Sequence, residues 1–479
     1  MNINFDKIYD QIPAEIFKLD HQLKQAGFES FLVGGCVRDL ILGKKPKDFD
    51  ITTNAKPKEI AKVFPESVTT YAKFGTVLVL VKDQNGEVQP VEVTTYRSEM
   101  DYVDGRWPTK VEFANKLSQD LGRRDYTINA MALMLNPLEE REDKLIDLFG
   151  GISDLRKRVI RAVGTPRSRL AEDGLRGFRA CRLAAVLGFE IESETFEAIE
   201  NTLEIAAQIS IERVRDEFMR LLLEAPKPSI GIELLRKTGL LKLFLPELLE
   251  GIGVNQPEYH IHDVYYHSLA CLNAASDKVK LAALFHDIGK PRAKNVKFEE
   301  KYLKKLKEKG KPIPAHHFFG HDAESAKMAQ EIMTRMKFPK AEIERVTRLV
   351  RWHMFFYQNQ WSDGAVRRFI NRVGGEEYVD QLFELRIADA DSNPKSEFSP
   401  SEIQKLQSRI AQVRKADMAL KVADLNINGN DLKQIGILQG PKMGKILNSL
   451  LELVLDDPGF NTKEKLLHKA KELLQSAKQ

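Results

Sequence analysis

The character of the sequence changes near residue 147, and this change constrains the fold more than any other feature. Before it, short β-rich runs alternate with helical segments, and the Asn-Gly pair at 85–86 predicts a hairpin between two of the runs. After it, long segments such as 175–189 and 210–225 repeat apolar residues at helical spacing. We therefore predict an α/β head with a small mixed β-sheet and helices, followed by an all-α remainder.

Composition limits the class of protein. With 479 residues, 43% of them hydrophobic and 30% charged, the chain resembles a globular protein of two to four domains. It has neither an apolar run of roughly 18 residues nor a basic, apolar opening, so we expect a cytoplasmic protein without a membrane partner. The three cysteines are far apart in the sequence, which fits reduced thiols.

Positive charge is unevenly distributed along the chain. The net charge is only +4, but nine arginines and lysines face two acidic residues between Leu155 and Arg182. Such a segment suits a polyphosphate partner, although a solvated helix face would look the same.

Two aspartates at the start of a β-rich run are the first candidate site. On a strand, Asp48 and Asp50 would point to the same face, while Phe49 packs behind them. Glu92, in the next β-rich run, is a candidate third carboxylate on a neighbouring strand. Such a group suits Mg²⁺, and three carboxylates can hold two metal ions that activate a 3′-hydroxyl and stabilise a leaving pyrophosphate. Alone, a D-x-D pattern is also common on ordinary surfaces.

A glycine pair precedes this run. Gly34 and Gly35 would let backbone amides approach a triphosphate, and Arg38 can bind it. An ordinary tight turn is the alternative for the pair taken alone. The combination of the glycine pair, the D-x-D pattern and the later glutamate is more specific than any one of them.

Several motifs in order resemble the class II tRNA nucleotidyltransferase and poly(A) polymerase family. They are LVGGCVRD, KDFDITT, QDLGRRDYTINAMAL, AEDGLRGFRACRLAAVLGF, ISIERVRDE and, near the end, LNINGNDLKQIGILQGPKMGKIL. The resemblance covers nearly the whole chain. It implies a nucleotidyltransferase head in which Asp48 and Asp50 are the catalytic, Mg²⁺-binding pair and Glu92 is the third carboxylate.

The resemblance also assigns nucleotide-binding residues. It implies that ribose and phosphates are held by Arg123, Arg124, Asp125 and Asn129. Arginines offer rigid donor forks to phosphate, and Asp and Asn suit sugar hydroxyls, although a surface ion-pair cluster would contain the same residue types.

A third group would select the base. Asp173 and Arg176 lie on a predicted helix, and their acceptors and donors together can match the Watson–Crick edge of a base. The resemblance implies that they pair with CTP and then ATP, while Glu172 orients the arginine. A simple i,i+4 salt bridge from Glu172 to Arg176 is the alternative. Arg179 and Arg182 continue the basic stripe, which we expect to face nucleotide or RNA phosphates.

The product has three candidates. Poly(A) polymerases of this kind carry a G-[RK]-R-F run where this chain has AKFGTVLVLV, which is closer to the H-G-T-V form of CCA-adding enzymes, except that Phe74 replaces histidine. The stretch 95–113 resembles the flexible loop used for switching to ATP. Complete CCA addition to tRNA is therefore the first prediction, poly(A) synthesis the second, and CC-only or A-only addition the third. DNA is not an expected partner.

A second site is predicted in the middle of the chain. Eight of the ten histidines fall between His260 and His353. Four residues resemble the ligand set of HD-domain phosphohydrolases, namely His267, His286, Asp287 and Asp389. This resemblance implies a divalent metal such as Mg²⁺, Mn²⁺, Ni²⁺ or Co²⁺. His321 is a further candidate ligand, and with His353 it would serve a second metal or bind phosphate.

These assignments predict four segments. They are a catalytic nucleotidyltransferase head (1–148), a helical neck and body that recognises the base (149–255), an HD domain (256–395) and a helical tail that contacts the tRNA body (396–479). A structural or sensing role for the metal site is the alternative to a second, phosphohydrolase activity.

Overall fold

The computed structural model describes residues 3–82, 86–103, 107–136, 144–256, 261–293, 318–355, 361–393, 400–414 and 422–476. The chain divides into two compact units, Met1–Phe244 and Leu245–Gln479. Within the described ranges, no helix combines the length and the apolar character needed to span a bilayer. The division into four segments stays a prediction.

The first unit is built around a mixed β-sheet. The strands of this unit are β1 (Ser30–Val33), β2 (Asp50–Thr53), β3 (Thr76–Lys82), β4 (Val88–Thr95), β5 (Arg97–Val103), β6 (Trp107–Phe113), β7 (Met131–Met134), β8 (Leu145–Asp147), β9 (Val159–Ile160) and β10 (Glu190–Ile191). Six of them form a sheet in the order β3-β4-β2-β1-β7-β8. Only β2 and β4 run parallel in this sheet, whereas its other neighbouring strands are antiparallel. The predicted hairpin is the β3–β4 pair, although residues 83–85 of its turn lie outside the described ranges.

The register of the sheet is fixed by its buried centre. Ile51 of β2 pairs with Val93 of β4, which pairs in turn with Val77 of β3. All three side chains are fully buried. Because side chains alternate between the two faces of a strand, this register presents the neighbouring Asp50 and Glu92 on the opposite face.

Helices make up most of the rest of the first unit. They are Phe5–Tyr9, Ala14–Gln25, Gly35–Ile41, Pro57–Val63, Leu117–Gly122, Gly151–Lys157, Pro166–Glu172, Leu175–Leu187, Ser193–Glu200, Leu203–Ala206, Ile211–Glu224, Pro228–Lys237 and Leu240–Phe244, with 3₁₀ turns at Ala72–Phe74 and Thr127–Asn129. The amphipathic helix Ile211–Glu224 buries Val214, Phe218 and Leu221 on one face. The predicted change to helices is confirmed, apart from the short parallel ribbon of β9 and β10.

The second unit is helical in its described residues. Its helices are Val264–Ala274, Lys280–Phe285, Lys290–Ala293, His321–Arg335, Lys340–Trp352, Asp363–Val373, Glu376–Asp391, Pro400–Arg414, Gly429–Gln434, Pro441–Asp456 and Lys463–Ser476, with 3₁₀ turns at Pro246–Gly251, Val422–Asp424 and Pro458–Phe460. Gly289 explains one close approach, because a Cβ there would lie 2.5 Å from the backbone nitrogen of Ser325. Its own amide donates to Ser325 Oγ at 2.9 Å. This contact holds the turn at 286–289 against the start of helix His321–Arg335.

Candidate functional site

Three carboxylates meet at the edge of β2 and β4. The parallel register places Asp50 directly opposite Glu92. Asp48 lies in the bend before β2, so the prediction that it starts the strand is wrong. The pairing of β2 with β1 ends at this point, because the chain turns from β1 into a helix after Gly34.

The electrostatics of this edge favour the binding of a cation. Burial and the Glu92 carboxylate raise the pKa of Asp50 to about 6; Asp48 adds to the shift and Arg124 opposes it. A buried carboxylate that resists ionisation beside other carboxylates fits a divalent, oxygen-seeking ion such as Mg²⁺, which favours its charged form. The residues present therefore suit the metal that the sequence predicted.

The glycine turn lies beside these carboxylates. Gly34 has a φ of +81°, which disfavours other residues. A Cβ at Gly34 would lie 3.0 Å from Arg124 Nη1 and 3.7 Å from Asp50 Oδ2. The absence of a side chain at Gly34 thus leaves room between the Arg124 guanidinium and the Asp50 carboxylate. Gly35 is the first residue of the helix that carries Arg38.

A chain of polar contacts joins four predicted nucleotide-binding residues. Arg38 Nη1 donates to Asn129 Oδ1 at 2.8 Å, and Asn129 Nδ2 donates to Asp125 Oδ1 at 3.2 Å. Asp125 Oδ2 lies 3.2 Å from Arg179 Nη2. Burial raises the pKa of the Asp125 carboxyl, but Arg179 and Asn129 outweigh it, so the pKa lies below its usual value. Asp125 is therefore a buried anion that fixes the groups on either side of it.

Asp120 organises the arginine pair, and the sequence prediction missed it. This fully buried carboxylate accepts from Arg123 Nε at 3.1 Å and from Arg124 Nη2 at 3.2 Å. It also accepts from Thr52 Oγ1 of β2 at 3.2 Å. Burial raises its pKa, but Arg124, Arg123 and Arg97 together lower it below the usual value. The available signal was its spacing, since an aspartate three and four residues before two arginines shares a helix face with them.

Asp173 and Arg176, the residues predicted to select the base, do not lie on one helix, contrary to the prediction. The first helix ends at Glu172, Asp173 has extended backbone angles, and the next helix begins at Leu175. The break reflects close packing, because a Cβ at Gly174 would lie 2.6 Å from Ala206 Cα. The contact from Arg176 Nη1 to Glu172 Oε2 still forms across the break, at 2.6 Å.

Arg176 and Asp173 both form hydrogen bonds with other groups of the protein. Arg176 Nη1 also donates to the carbonyl of Arg169, and Nη2 donates to the carbonyl of Arg123 at 3.1 Å. Asp173 Oδ2 accepts from Arg213 Nη2 at 2.7 Å. Arg213, from the run ISIERVRDE, was not predicted as a site residue.

Arg182 does not face solvent, so the prediction of a phosphate contact is wrong for this residue. It is buried and donates to Glu217 Oε2 at 2.6 Å, with Glu224 Oε2 at 3.3 Å. The count of nine arginines and lysines between Leu155 and Arg182 therefore overestimates the positive charge that this segment presents to solvent.

A buried cluster of histidines and aspartates lies in the second unit. His267 is on helix Val264–Ala274, Asp389 is on helix Glu376–Asp391, and His321 begins helix His321–Arg335. His286 and His353 each follow directly after a helix, and Asp287 follows His286. The four histidines and Asp287 are all buried. The sequence predicted that His353, with His321, would serve a second metal or bind phosphate.

The orientation of the imidazoles is fixed by their Nδ1 atoms. The Nδ1 atoms of three rings lie within 2.8 Å of backbone carbonyls: His286 at Ala283, His321 at Phe318 and His353 at Val350. A carbonyl only accepts, so each Nδ1 carries a proton, and the Nε2 atom of each ring points into the cluster. Second-shell bonds of this kind orient metal-binding histidines.

The inward-pointing atoms form two groups, one on each oxygen of Asp287. His267 Nε2 and His286 Nε2 lie 3.4 and 3.2 Å from Asp287 Oδ2, and 3.3 Å from each other. On the other side, His321 Nε2 lies 3.3 Å from Asp287 Oδ1. Ligands bound to one cation at about 2.1 Å lie roughly 3.0–3.4 Å apart at octahedral or tetrahedral angles. Both groups fit a transition metal, which imidazole ligands favour.

Comparisons with known proteins agree with this geometry. The family model for the poly(A) polymerase head domain matches residues 30–161. The model described as "Probable RNA and SrmB-binding site of polymerase A" matches 188–251, and that for tRNA nucleotidyltransferase domain 2 matches 318–470.

Similar proteins are CCA-adding enzymes. Those of Lactobacillus delbrueckii subsp. bulgaricus and Streptococcus gordonii are 43% identical over 222 residues and 44% identical over 227 residues. These alignments cover 46% and 47% of this chain and 52% and 54% of the relatives, so the chain spans about half the length of the curated relatives it matches. The crystal structure of the Bacillus stearothermophilus CCA-adding enzyme in complex with CTP matches with a TM-score of 0.66 and 25% identity, covering 97% of this chain and 98% of that one. The motifs, the carboxylate edge, the family models and this structural match agree in their similarity to the class II family of CCA-adding enzymes and poly(A) polymerases.

Proposed function

We propose that this protein is a CCA-adding tRNA nucleotidyltransferase, which adds C, C and A to the 3′ end of tRNA from CTP and ATP. The observation that carries the proposal is the carboxylate edge formed by Asp48, Asp50 and Glu92 beside Gly34 and Arg124. Further support comes from the relatives, which are CCA-adding enzymes, and from the matching structure, which was solved with CTP.

The roles of the residues follow from their positions. Mg²⁺ bound by the three carboxylates would activate the 3′-hydroxyl and stabilise the leaving pyrophosphate. Arg124 and Arg38 provide positive charge on either side of the glycine turn, where the triphosphate would approach the backbone. Asp120 holds Arg124 in place and bonds to β2, so the phosphate-binding arginine and the catalytic strand share one support.

The choice of product rests on sequence. The FGTV run at 74–77 lacks the basic G-[RK]-R-F form of poly(A) polymerases. The direct test is incubation of the pure protein with tRNA ending at position 73, with CTP and ATP separately and together. We expect two additions with CTP alone, three with both, and then a stop. Long A tails would instead identify a poly(A) polymerase, and termination after CC with both nucleotides would identify a CC-adding enzyme.

Base selection should depend on Arg176. We expect Arg176→Ala to lower the preference for CTP over UTP by about 10- to 100-fold, the value of a hydrogen bond to a charged group. The measurement is the ratio of the kcat/KM values for the two nucleotides. Arg220→Ala removes an arginine whose side chain is half exposed on helix Ile211–Glu224, and should leave the ratio unchanged. If Arg176→Ala keeps the wild-type ratio, the residue forms only a structural salt bridge with Glu172.

The tail should contact the tRNA body. Lys442 and Lys445 are exposed on helix Pro441–Asp456. A Cβ at Gly436, Gly440 or Gly444 would meet nothing within 4 Å, so these glycines do not serve close packing and leave the backbone open to a phosphate. This helix also packs on helix Asp363–Val373, where Arg367 Nη1 donates to the carbonyl of Leu455 at 2.9 Å. Point variants therefore test the contact better than truncation.

We expect Lys442→Glu with Lys445→Glu to raise the KM for tRNA about tenfold or more, and more so at low salt, because phosphate contacts are screened by salt. The KM for CTP should not change. Lys340→Glu, which alters a lysine that is 90% exposed elsewhere in the same unit, is the control. A double variant with the wild-type KM for tRNA would remove the tail from the tRNA interface.

A second activity is favoured by the buried histidine cluster. We propose that the second unit contains an HD-type, metal-dependent phosphohydrolase centre with His267, His286, Asp287 and Asp389 as ligands. Its support is the inward direction of the imidazole Nε2 atoms and the position of Asp389 Oδ1, 3.1 Å from His267 Nε2. Substrates to test are bis-p-nitrophenyl phosphate and 2′,3′-cyclic AMP, with Mg²⁺, Mn²⁺, Ni²⁺ or Co²⁺. A wild-type protein that hydrolyses neither has a structural or sensing metal site.

A further inference from the structure

Arg169 lies between two groups of residues that the proposed function uses, yet it has no role in that function. Its side chain is only 15% exposed. Nη2 donates to the carbonyl of Gly122 at 2.6 Å, and Nε donates to the carbonyl of Val163 at 3.1 Å. Nη1 donates to Glu172 Oε2 at 2.8 Å. Each nitrogen of this guanidinium therefore has a different partner, which fixes the position of the group.

Arg176 is held by Arg169 in two ways. Glu172 Oε2, which accepts from Arg169 Nη1, also accepts from Arg176 Nη1 at 2.6 Å. In addition, Arg176 Nη1 donates to the backbone carbonyl of Arg169. The Glu172 side chain is 40% exposed, so its rotamers are not restricted by burial. The contact with Arg169 restricts them instead, and it keeps the carboxylate where it meets Arg176.

The same contacts join Arg176 to the segment 122–124. Arg169 Nη2 bonds to the carbonyl of Gly122, and Arg176 Nη2 donates to the carbonyl of the next residue, Arg123, at 3.1 Å. Arg124 follows directly in the sequence. The guanidinium that would read the base is thus bonded to the backbone that carries the arginines proposed to hold the triphosphate. This arrangement fixes the distance between the two ends of a bound nucleotide.

We propose that Arg169 is a positioning residue for nucleotide selection, which directs the Arg176 guanidinium through Glu172 and fastens it to the segment 122–124. The inference rests on the proposed function, in which Arg176 selects the base, and deepens it by naming what holds Arg176 in place. A lysine at position 169 would keep the charge. Its single nitrogen could not bond in all three directions that the planar guanidinium serves. Arg169→Lys therefore removes the positioning without removing the positive charge.

The test is the ratio of the kcat/KM values for CTP and UTP, measured with tRNA ending at position 73. We expect Arg169→Lys to lower this ratio about fivefold, the effect of a coupled neighbour. Both nucleotides are measured on one preparation, so a misfolded fraction cancels in the ratio. Arg236→Lys is the matched control, because Arg236 also pairs with a glutamate three residues away, Glu233, at 2.9 Å. It should keep the wild-type ratio.

A double variant separates positioning from an independent effect. Because Arg169 acts through Arg176, Arg169→Lys with Arg176→Ala should have the same ratio as Arg176→Ala alone. Losses that multiply in the double variant overturn the inference. So does Arg169→Lys with a lower melting temperature and the wild-type ratio, which is the result of a purely structural role. In both cases a lowered ratio in Arg176→Ala leaves the proposed base selection standing. If Arg176→Ala itself keeps the wild-type ratio, base selection by Arg176 fails, and the inference fails with it.

Discussion

Asp50→Ala should abolish nucleotide addition, with kcat falling by roughly three orders of magnitude or more, equivalent to about 4 kcal/mol of barrier. The reason is that Asp50 lies opposite Glu92 at the carboxylate edge, where the reacting oxygens would meet the metal. Binding of CTP and tRNA depends on arginines and on separate surfaces, so both dissociation constants should change little. Primer-extension kinetics and equilibrium binding measure the two quantities separately.

The controls address folding. Glu66→Ala removes an exposed carboxylate from the same unit and should leave addition unchanged. Asp50→Asn should be as inactive as Asp50→Ala, yet the folded protein should be no less stable than the wild type. Because the folded-state pKa of Asp50 is about 6, above the ordinary 3.8, ionisation at pH 7 opposes folding when no metal is bound, and a neutral amide avoids this cost. Addition by either variant at more than a few per cent of the wild-type rate would remove Asp50 from the chemistry.

His286→Ala with Asp287→Ala should eliminate phosphohydrolysis, by about three orders of magnitude in kcat, while CCA addition continues at close to the wild-type rate. The two proposed ligand sets belong to different compact units, Met1–Phe244 and Leu245–Gln479. Hydrolysis of 2′,3′-cyclic AMP and extension of tRNA are measured on the same preparation.

The reciprocal variant completes this experiment. Asp48→Ala with Asp50→Ala should lose addition and keep hydrolysis. Loss of Asp287 also leaves the Lys290 ammonium without its carboxylate, although Gln256 Oε1 remains 2.6 Å away. His286→Gln alone avoids this unpaired charge and should lose hydrolysis equally. If the single variant hydrolyses at the wild-type rate, the centre is not the source of the activity.

The sequence predicted the parts of the two candidate sites that follow from the alternation of side chains along strands and from the chemistry of the residue types. The alternation of β2 and β4 predicted that Asp50 and Glu92 would approach each other, as they do. The resemblance to HD domains predicted the set His267, His286, Asp287 and Asp389, whose side chains the structure places together. In both cases the residue type restricts the chemistry strongly. A buried carboxylate or imidazole needs a partner, and the sequence shows which partners are available.

The predictions failed where packing between residues far apart in the sequence determines the local structure. The helix break at Gly174 depends on the backbone of Ala206, more than 30 residues away, which no periodicity in 166–187 reveals. Arg182 looked like part of a basic stripe, but acidic residues of helix Ile211–Glu224 neutralise it. Asp120 was missed because its spacing to Arg123 and Arg124 also fits an exposed ion pair on a helix, and the sequence does not show that the carboxylate is buried.

The pairing of β2 with β4 has a consequence for how the chain tolerates change. Ile51, Val77 and Val93 are fully buried in neighbouring strands. A slip of β4 by one residue would turn Val93 to the face that now carries Asp50 and Glu92, and the lost burial would cost about 1.5–3 kcal/mol of stability. The same slip would bury the Glu92 charge. Insertions in the connection that joins β3 to β4 leave this pairing intact, so variation in length should accumulate there. A deletion of a single residue within 88–95 should inactivate the head.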